Sequence, residues 1–201
     1  MTPFDHACTP LRTIFGRSLL HCFSFGDHED ENLLCVEVSA DAQVPLVRVQ
    51  SACYTAEIFR STDCDCHEQL HSSLRQIHGE GGYLVYMLRD GRGAGLLNKV
   101  AALAMFENEG VDTHDAYQRL GLNPDPRTYE RVALVLRHFE IAALRLLTNN
   151  PRKVAGLRDA GLVVERVGLE IEPTSESVAY LETKRTKMGH LLTEPPDQSL
   201  K

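Results

Sequence analysis

Between residues 68 and 110 the sequence changes its apolar period twice, and this alternation restricts the fold more than any other feature. Leu70, Leu74 and Ile77 recur at helical spacing over residues 68–77. The glycine cluster at 79–82 stops that helix, and residues 83–88 then read as a strand. A glycine-rich loop, Asp90-Gly91-Arg92-Gly93-Ala94-Gly95, leads into a second helix over 96–108, built from good helix formers and closed by Gly110. Helix, strand, loop and helix in this order predict an α/β protein.

The rest of the chain fits that frame. Residues 33–38 and 45–49 are short and rich in branched apolar side chains, which predicts two paired strands with a turn at 41–43. Residues 1–30 show no clear period and read as a strand or two with loops. Helices are predicted over 114–120 and 128–139 and strands over 142–147 and 162–167, with Pro151 at the first position of a helix reaching residue 160. The expected architecture is a mixed sheet with helices packed on it, in one domain over residues 1–172. The polar composition after Pro173, the charged run at 182–187 and the Pro195-Pro196 pair predict a mobile tail over 173–201. No internal repeat is apparent.

Composition narrows the partners. The 201 residues are 43% hydrophobic and 24% charged, which is globular composition. No run approaches the roughly 18 apolar residues that a membrane span needs, and the N-terminus lacks the pattern of a secretory leader. A soluble, cytoplasmic chain without a membrane partner is expected. The net charge of −7 presents no cationic field to nucleic acid. An anionic ligand must therefore be held by a local pocket.

Of six cysteines, Cys8, Cys22 and Cys35 are scattered among apolar or loop-like neighbours and read as small buried thiols. Cys53, Cys64 and Cys66 form C-x10-C-x-C, three soft ligands within a span that one turn can converge. Three thiolates with a fourth position open to water make a catalytic zinc site, whereas His67 or His71 in fourth place would make a closed structural one. Spacing leaves both open. The glycine loop, with Arg92 and Lys99, and the segment Thr148-Asn149-Asn150-Pro151-Arg152-Lys153 both suit an anion at a helix N-terminus. Each is equally compatible with an ordinary capped turn.

Taken together the motifs are specific. Arg48, Cys53, Cys64-Asp65-Cys66, Gln69-Leu70, Gly91-Arg92, Gly95-Leu96-Leu97-Asn98-Lys99, Asp112-Thr113, Leu120-Gly121, Asp125 with Arg127, Leu146 to Val154, Thr183-Lys184 and Lys187-Met188-Gly189-His190-Leu191-Leu192 follow one another in an order that closely resembles GTP cyclohydrolase II over residues 45–192. That family opens the imidazole ring of GTP, releasing C8 as formate together with pyrophosphate, at the start of riboflavin synthesis. The resemblance implies one zinc per chain on Cys53, Cys64 and Cys66, where metal-bound water would be acidified towards neutrality. It implies nucleotide contacts from Arg48, Gln69, Asp90, Gly91, Arg92, Thr113, Thr148 and Lys153, magnesium on the triphosphate, and a homodimer. Asp125 matches the family's proton acceptor and Arg127 its proposed nucleophile toward the α-phosphate. A guanidinium must first shed a proton to act so, and a charge clamp on the departing pyrophosphate is the alternative.

The chain also departs from the family pattern. Gln50-Ser51-Ala52-Cys53 stands for His-Ser-Glu-Cys, Leu88 and Asp90 replace Arg and Glu, and Leu103 occupies the position of an active-site tyrosine. Leucine cannot donate or accept a proton, so hydrolysis halting at a formamidopyrimidine nucleotide, or a different purine nucleotide as substrate, is a second expectation. A non-catalytic zinc and nucleotide-binding module is the third. Asp125 and Arg127 weigh against it, since mere binding needs no such pair.

Overall fold

The computed structural model describes residues 4–26, 28–39, 43–172, 174–175 and 177–192. Strands β1 (Asp5–Thr13), β2 (Gly16–Ser24), β3 (Leu33–Val38), β4 (Leu46–Ser51), β5 (Gly82–Met87), β6 (Ala143–Leu147) and β7 (Val163–Val167) form one sheet in the order β1-β2-β3-β5-β4-β6-β7. The first half, β1 to β3 with β5, is antiparallel; β5, β4, β6 and β7 are parallel. The helices are α1 (Tyr54–Glu57), α2 (Cys66–Glu80), α3 (Leu96–Glu109), α4 (Thr113–Arg119), α5 (Glu130–His138), α6 (Pro151–Asp159) and α7 (Val178–Met188). Among the described residues no helix is long and apolar enough to cross a membrane.

Strands β3 and β4 were expected to pair directly, but β5 lies between them, antiparallel to β3 and parallel to β4. Burial explains the insertion. Every residue of β4 from Leu46 to Gln50 is buried, the signature of a central strand covered on both faces, whereas a hairpin arm would leave one face wet. The expected turn at 41–43 lies outside the described residues except for Gln43.

The period of two in β4 separates the two faces of the protein. Val47 and Val49 join the larger core with Val132, Val135 and Leu136 of α5 and with Val154 and Leu157 of α6. Leu46 joins Leu84, Leu147 and Ile77 of α2 on the other side. By the same alternation Arg48 and Gln50 project to the α2 side. Two buried polar residues are thereby carried beneath that helix.

Part of the segment read as a tail is helical and packed. Residues 193–201, with the Pro195-Pro196 pair, and Pro173 lie outside the described residues, but α7 occupies much of the segment read as a tail. Leu181 and Lys184 are buried there, and the Lys184 ammonium donates to Asp65 at 2.7 Å. The charged run at 182–187 gives no sign of this contact, because the partner of Lys184 is 119 positions away.

Candidate active site at the ends of the parallel strands

Loops leaving three neighbouring parallel strands meet at one edge of the sheet. β4 delivers Ser51 to Cys53, β5 delivers the glycine loop, and β6 delivers Thr148 to Lys153. The carboxyl ends of parallel strands are the place where open α/β sheets leave a crevice. Here the crevice is an open cleft of about 1070 Å³, closed on its far side by Tyr180, Lys184 and Met188 of α7 and by His190 beyond it. Six cations and two carboxylates line it, so an acidic protein has a cationic pocket.

Cys53, Cys64 and Cys66 sit in its wall with their sulfurs all within 4.8 Å of one another. Cys53 Sγ and Cys64 Sγ are 3.8 Å apart. Neither His67 nor His71 belongs to this group; their rings stack on each other, and His71 also packs on Phe15. Three thiols without an imidazole are a donor set that suits a soft or borderline metal ion and leaves a coordination position free. Lys99 Nζ lies 3.1 Å from Cys53 Sγ and 3.0 Å from Asp90. Burial opposes the charge on Lys99, but Cys53 and Asp90 outweigh it and raise its pKa. The Cys53 thiol is strongly lowered by hydrogen bonds from Cys64 and Cys66 and then by Lys99, while its bond to Cys53 pushes Cys64 up to about 11. Of the other cysteines only Cys35 is fully buried; Cys8, expected inside, is exposed on the outermost strand β1.

The glycine loop forms a one-turn 3-10 helix, Gly91–Gly93, between Asp90 and α3. Asp90 is buried and committed: it accepts from the backbone N–H of Tyr54 and Gly91 and from Lys99. Gly93 has φ +88°, and a Cβ there would stand 3.2 Å from Arg127 Cγ, so the loop can pass this close to Arg127 only without a side chain. Arg92 donates to Thr113 at 3.0 Å at the start of α4.

Beneath the cleft runs a chain of buried polar contacts. Lys184 donates to Asp65, which accepts from Gln69 at 2.7 Å; Gln69 accepts from Arg48 at 2.8 Å. Arg48 also donates twice to Gln50 and once to the carbonyl of Leu147. Gln50 donates to Glu57 at 2.9 Å, and Glu57 accepts from Tyr86 and from the N–H of Cys53. Burial lowers Arg48 to about 10 against the pull of Asp65. Arg48 and Gln69, expected to contact a nucleotide, thus spend most of their polar capacity inside the protein, tying α7 to the loop that carries Cys53. Lys153 behaves similarly: its ammonium donates to the carbonyl of Val49 at 2.7 Å, and burial, then Arg48 and Arg127, lower its pKa strongly.

Asp125 is the one predicted site residue that does not line the cleft. It reaches the cleft through Arg127, which donates Nε at 2.7 Å and Nη2 at 2.8 Å to its two oxygens. The third nitrogen of Arg127 donates to Ser51 at 3.1 Å. Burial works against the guanidinium charge, but Tyr129 and Asp125 raise its pKa further. Sequence reasoning did not single out Tyr180, Glu57 or a role for Lys184 and His190. Nothing in a polar C-terminal segment distinguishes a wall of a pocket from a solvated helix.

The crevice, the thiol triad and Arg127 with its Asp125 fork thus meet at one edge of an α/β sheet. The chain belongs to the GTP cyclohydrolase II family, whose model matches residues 5–168. It is 45% identical to the riboflavin biosynthesis protein RibBA of Chlorobium phaeovibrioides, over 90% of this chain and 45% of that protein. It is 46% identical to RibBA of Bacillus cytotoxicus, over 90% of this chain and 46% of the relative. The chain spans about half the length of the curated relatives it matches. A two-domain 3,4-dihydroxy-2-butanone 4-phosphate synthase from A. baumannii overlays 82% of this chain and 41% of its own, with 17% identity and a TM-score of 0.44.

Proposed function

We propose that this protein is a zinc-dependent cyclohydrolase that opens the imidazole ring of GTP and releases pyrophosphate, in riboflavin-type synthesis in the cytoplasm, as a homodimer. The observation that carries this reading is the meeting of three metal-ready thiols and six cations in one cleft. Cys53, Cys64 and Cys66 would hold the zinc, which when bound supplies a Lewis acid that activates water for attack at C8. Magnesium enters with the triphosphate.

The remaining chemistry falls to the chain itself. Arg92, Thr113 and Thr148 offer donors to phosphate oxygens, while Arg48 and Lys153 line the cleft as further basic groups. Gln69 positions Arg48, and Asp90 with Gly91 fixes the loop that presents Arg92. Arg127 acts as a charge clamp on the α-phosphate and the departing pyrophosphate. The clamp is favoured over a nucleophile because Asp125 holds the guanidinium in a two-point fork that stabilises its charged form.

A second reading concerns the product. Leu103 lines the cleft where the family pattern has tyrosine, so release of the formyl group lacks the hydroxyl that this position would supply to move a proton, and a formylated pyrimidine nucleotide would accumulate. Incubation of the zinc-loaded protein with GTP and magnesium, followed by identification of every product, tests both readings.

A further inference from the structure

The C-terminal segment contributes a group to the cleft that the site described so far does not use. Gly189, with φ +64°, ends α7, and the chain turns back on itself: the N–H of His190 donates to the carbonyl of Lys184 at 3.0 Å. The next residue is pinned to the β6–α6 loop, the N–H of Leu191 donating to the carbonyl of Asn149 at 2.9 Å. The imidazole of His190 is thereby fixed in the wall of the cleft. Its Nε2 is buried and has no hydrogen-bond partner. Among the described residues lining the cleft, one other side chain shares this condition, Arg92, whose Nη1 is likewise buried and unpartnered. Buried polar atoms are almost always satisfied, and two exceptions on residues that line one cleft mark where a ligand belongs.

The surroundings identify the ligand's charge. Burial first, then Lys184 on α7, Lys153 on α6, Arg127 ahead of α5 and Arg92 in the glycine loop, push the imidazole down to about 3. A ring set among basic side chains from four elements is neutral, and the field around it is one that an anion with several charges would cancel. We propose that His190 is a phosphate ligand, which with Arg92 completes an anion site for the polyphosphate chain of a nucleotide. This rests on reading the cleft as a nucleoside triphosphate site. Arrival of the polyanion neutralises the cationic field and restores the imidazole's affinity for a proton, so binding is accompanied by proton uptake at His190. The C-terminal segment then belongs to the substrate site and not only to its cover.

The test uses the zinc-loaded full chain and two separate probes, inorganic tripolyphosphate and guanosine, with calorimetry in buffers of different ionisation enthalpy to count protons. Expected for the unaltered protein is tripolyphosphate binding with proton uptake at neutral pH. His190→Gln should weaken tripolyphosphate about tenfold, the scale of one charge-assisted hydrogen bond, and lower the proton uptake, leaving at most the share of Lys153, the other cleft group whose proton is held weakly. Guanosine binding, zinc content and melting temperature should stay unchanged. Equal tripolyphosphate affinity and proton uptake in the variant, or a loss confined to guanosine, would overturn the proposal. So would an unaltered protein that turns over GTP yet takes up no proton with tripolyphosphate, which leaves the functional reading standing. An unaltered protein that neither turns over GTP nor binds either probe removes that reading, and the proposal with it.

Discussion

Replacing Asp125 by Asn isolates the fork on which the role of Arg127 depends. The carboxylate accepts Nε and Nη2 of Arg127 at 2.7 and 2.8 Å, with Arg152 at 3.2 Å, and both members of the main pair are almost wholly buried. Removing one partner of a buried ion pair costs about 3–5 kcal/mol, because the other charge stays behind. The low end applies here, since Arg127 keeps its Ser51 contact and asparagine still accepts one bond. Arg152 is half exposed and adds at most about 1 kcal/mol. About 3 kcal/mol in a chain of this size lowers the melting temperature by roughly 6–12 °C. The pair's pH dependence has a definite sign. Burial alone would raise the Asp125 carboxyl, but Arg127 holds it below its ordinary 3.8. Its stabilisation is therefore complete above pH 3.8 and is lost as the pH falls through the lower folded-state value. Thermal unfolding of both proteins from pH 3 to 8 reads this: the gap should be constant above about pH 5 and shrink in acid. A gap under about 2 °C at neutral pH would show that Asp125 does not hold Arg127, and the clamp argument would fail.

Two further outcomes follow from the buried network and the thiols. Lys184→Met strands Asp65 beneath α7, where the pair is more than nine-tenths buried, and should cost about 3 kcal/mol in denaturant unfolding and expose the α7 segment to protease; adding Asp65→Asn should recover part of that loss. Zinc loading of the metal-free protein at pH 7 should release protons, chiefly from Cys64 and Cys66, whose thiols are raised; loading without measurable proton release would contradict the assignment of the three ligands.

Elements with a strong local signature were legible in the sequence. Strands β3, β5, β6 and β7 and helices α3 and α6 fall within a residue or two of their predicted positions, because branched apolar runs, Gly110 and the Asn150-Pro151 start are local determinants, while α2 runs through Gly79 and ends three residues beyond its predicted limit. Strand order was not legible: that β5 enters between β3 and β4 follows from covering β4 on both faces, which only the assembled sheet reveals. In the site, the spacing of Cys53, Cys64 and Cys66 announced itself because three ligands lie within 14 residues of one another. The polar chain from Lys184 through Arg48 to Glu57 did not. Its members are ordinary polar residues whose burial is produced by tertiary contacts, and a charged C-terminal helix has the same composition whether it is solvated or packed.

The central claim is that the thiol triad and the cationic cleft act together on GTP, and the direct measurement is mass identification of all products formed from GTP and magnesium with zinc-loaded, zinc-stripped and Cys53→Ser protein. The account predicts zinc-dependent release of pyrophosphate with an opened imidazole ring, absent from the stripped and Cys53→Ser proteins, and with the formyl group retained if Leu103 governs the last step. Formate and pyrophosphate in equal amounts would remove Leu103 from that role while leaving the activity in place. Unaltered GTP in the presence of the zinc-loaded protein, or ring opening that persists without the metal, would contradict the account.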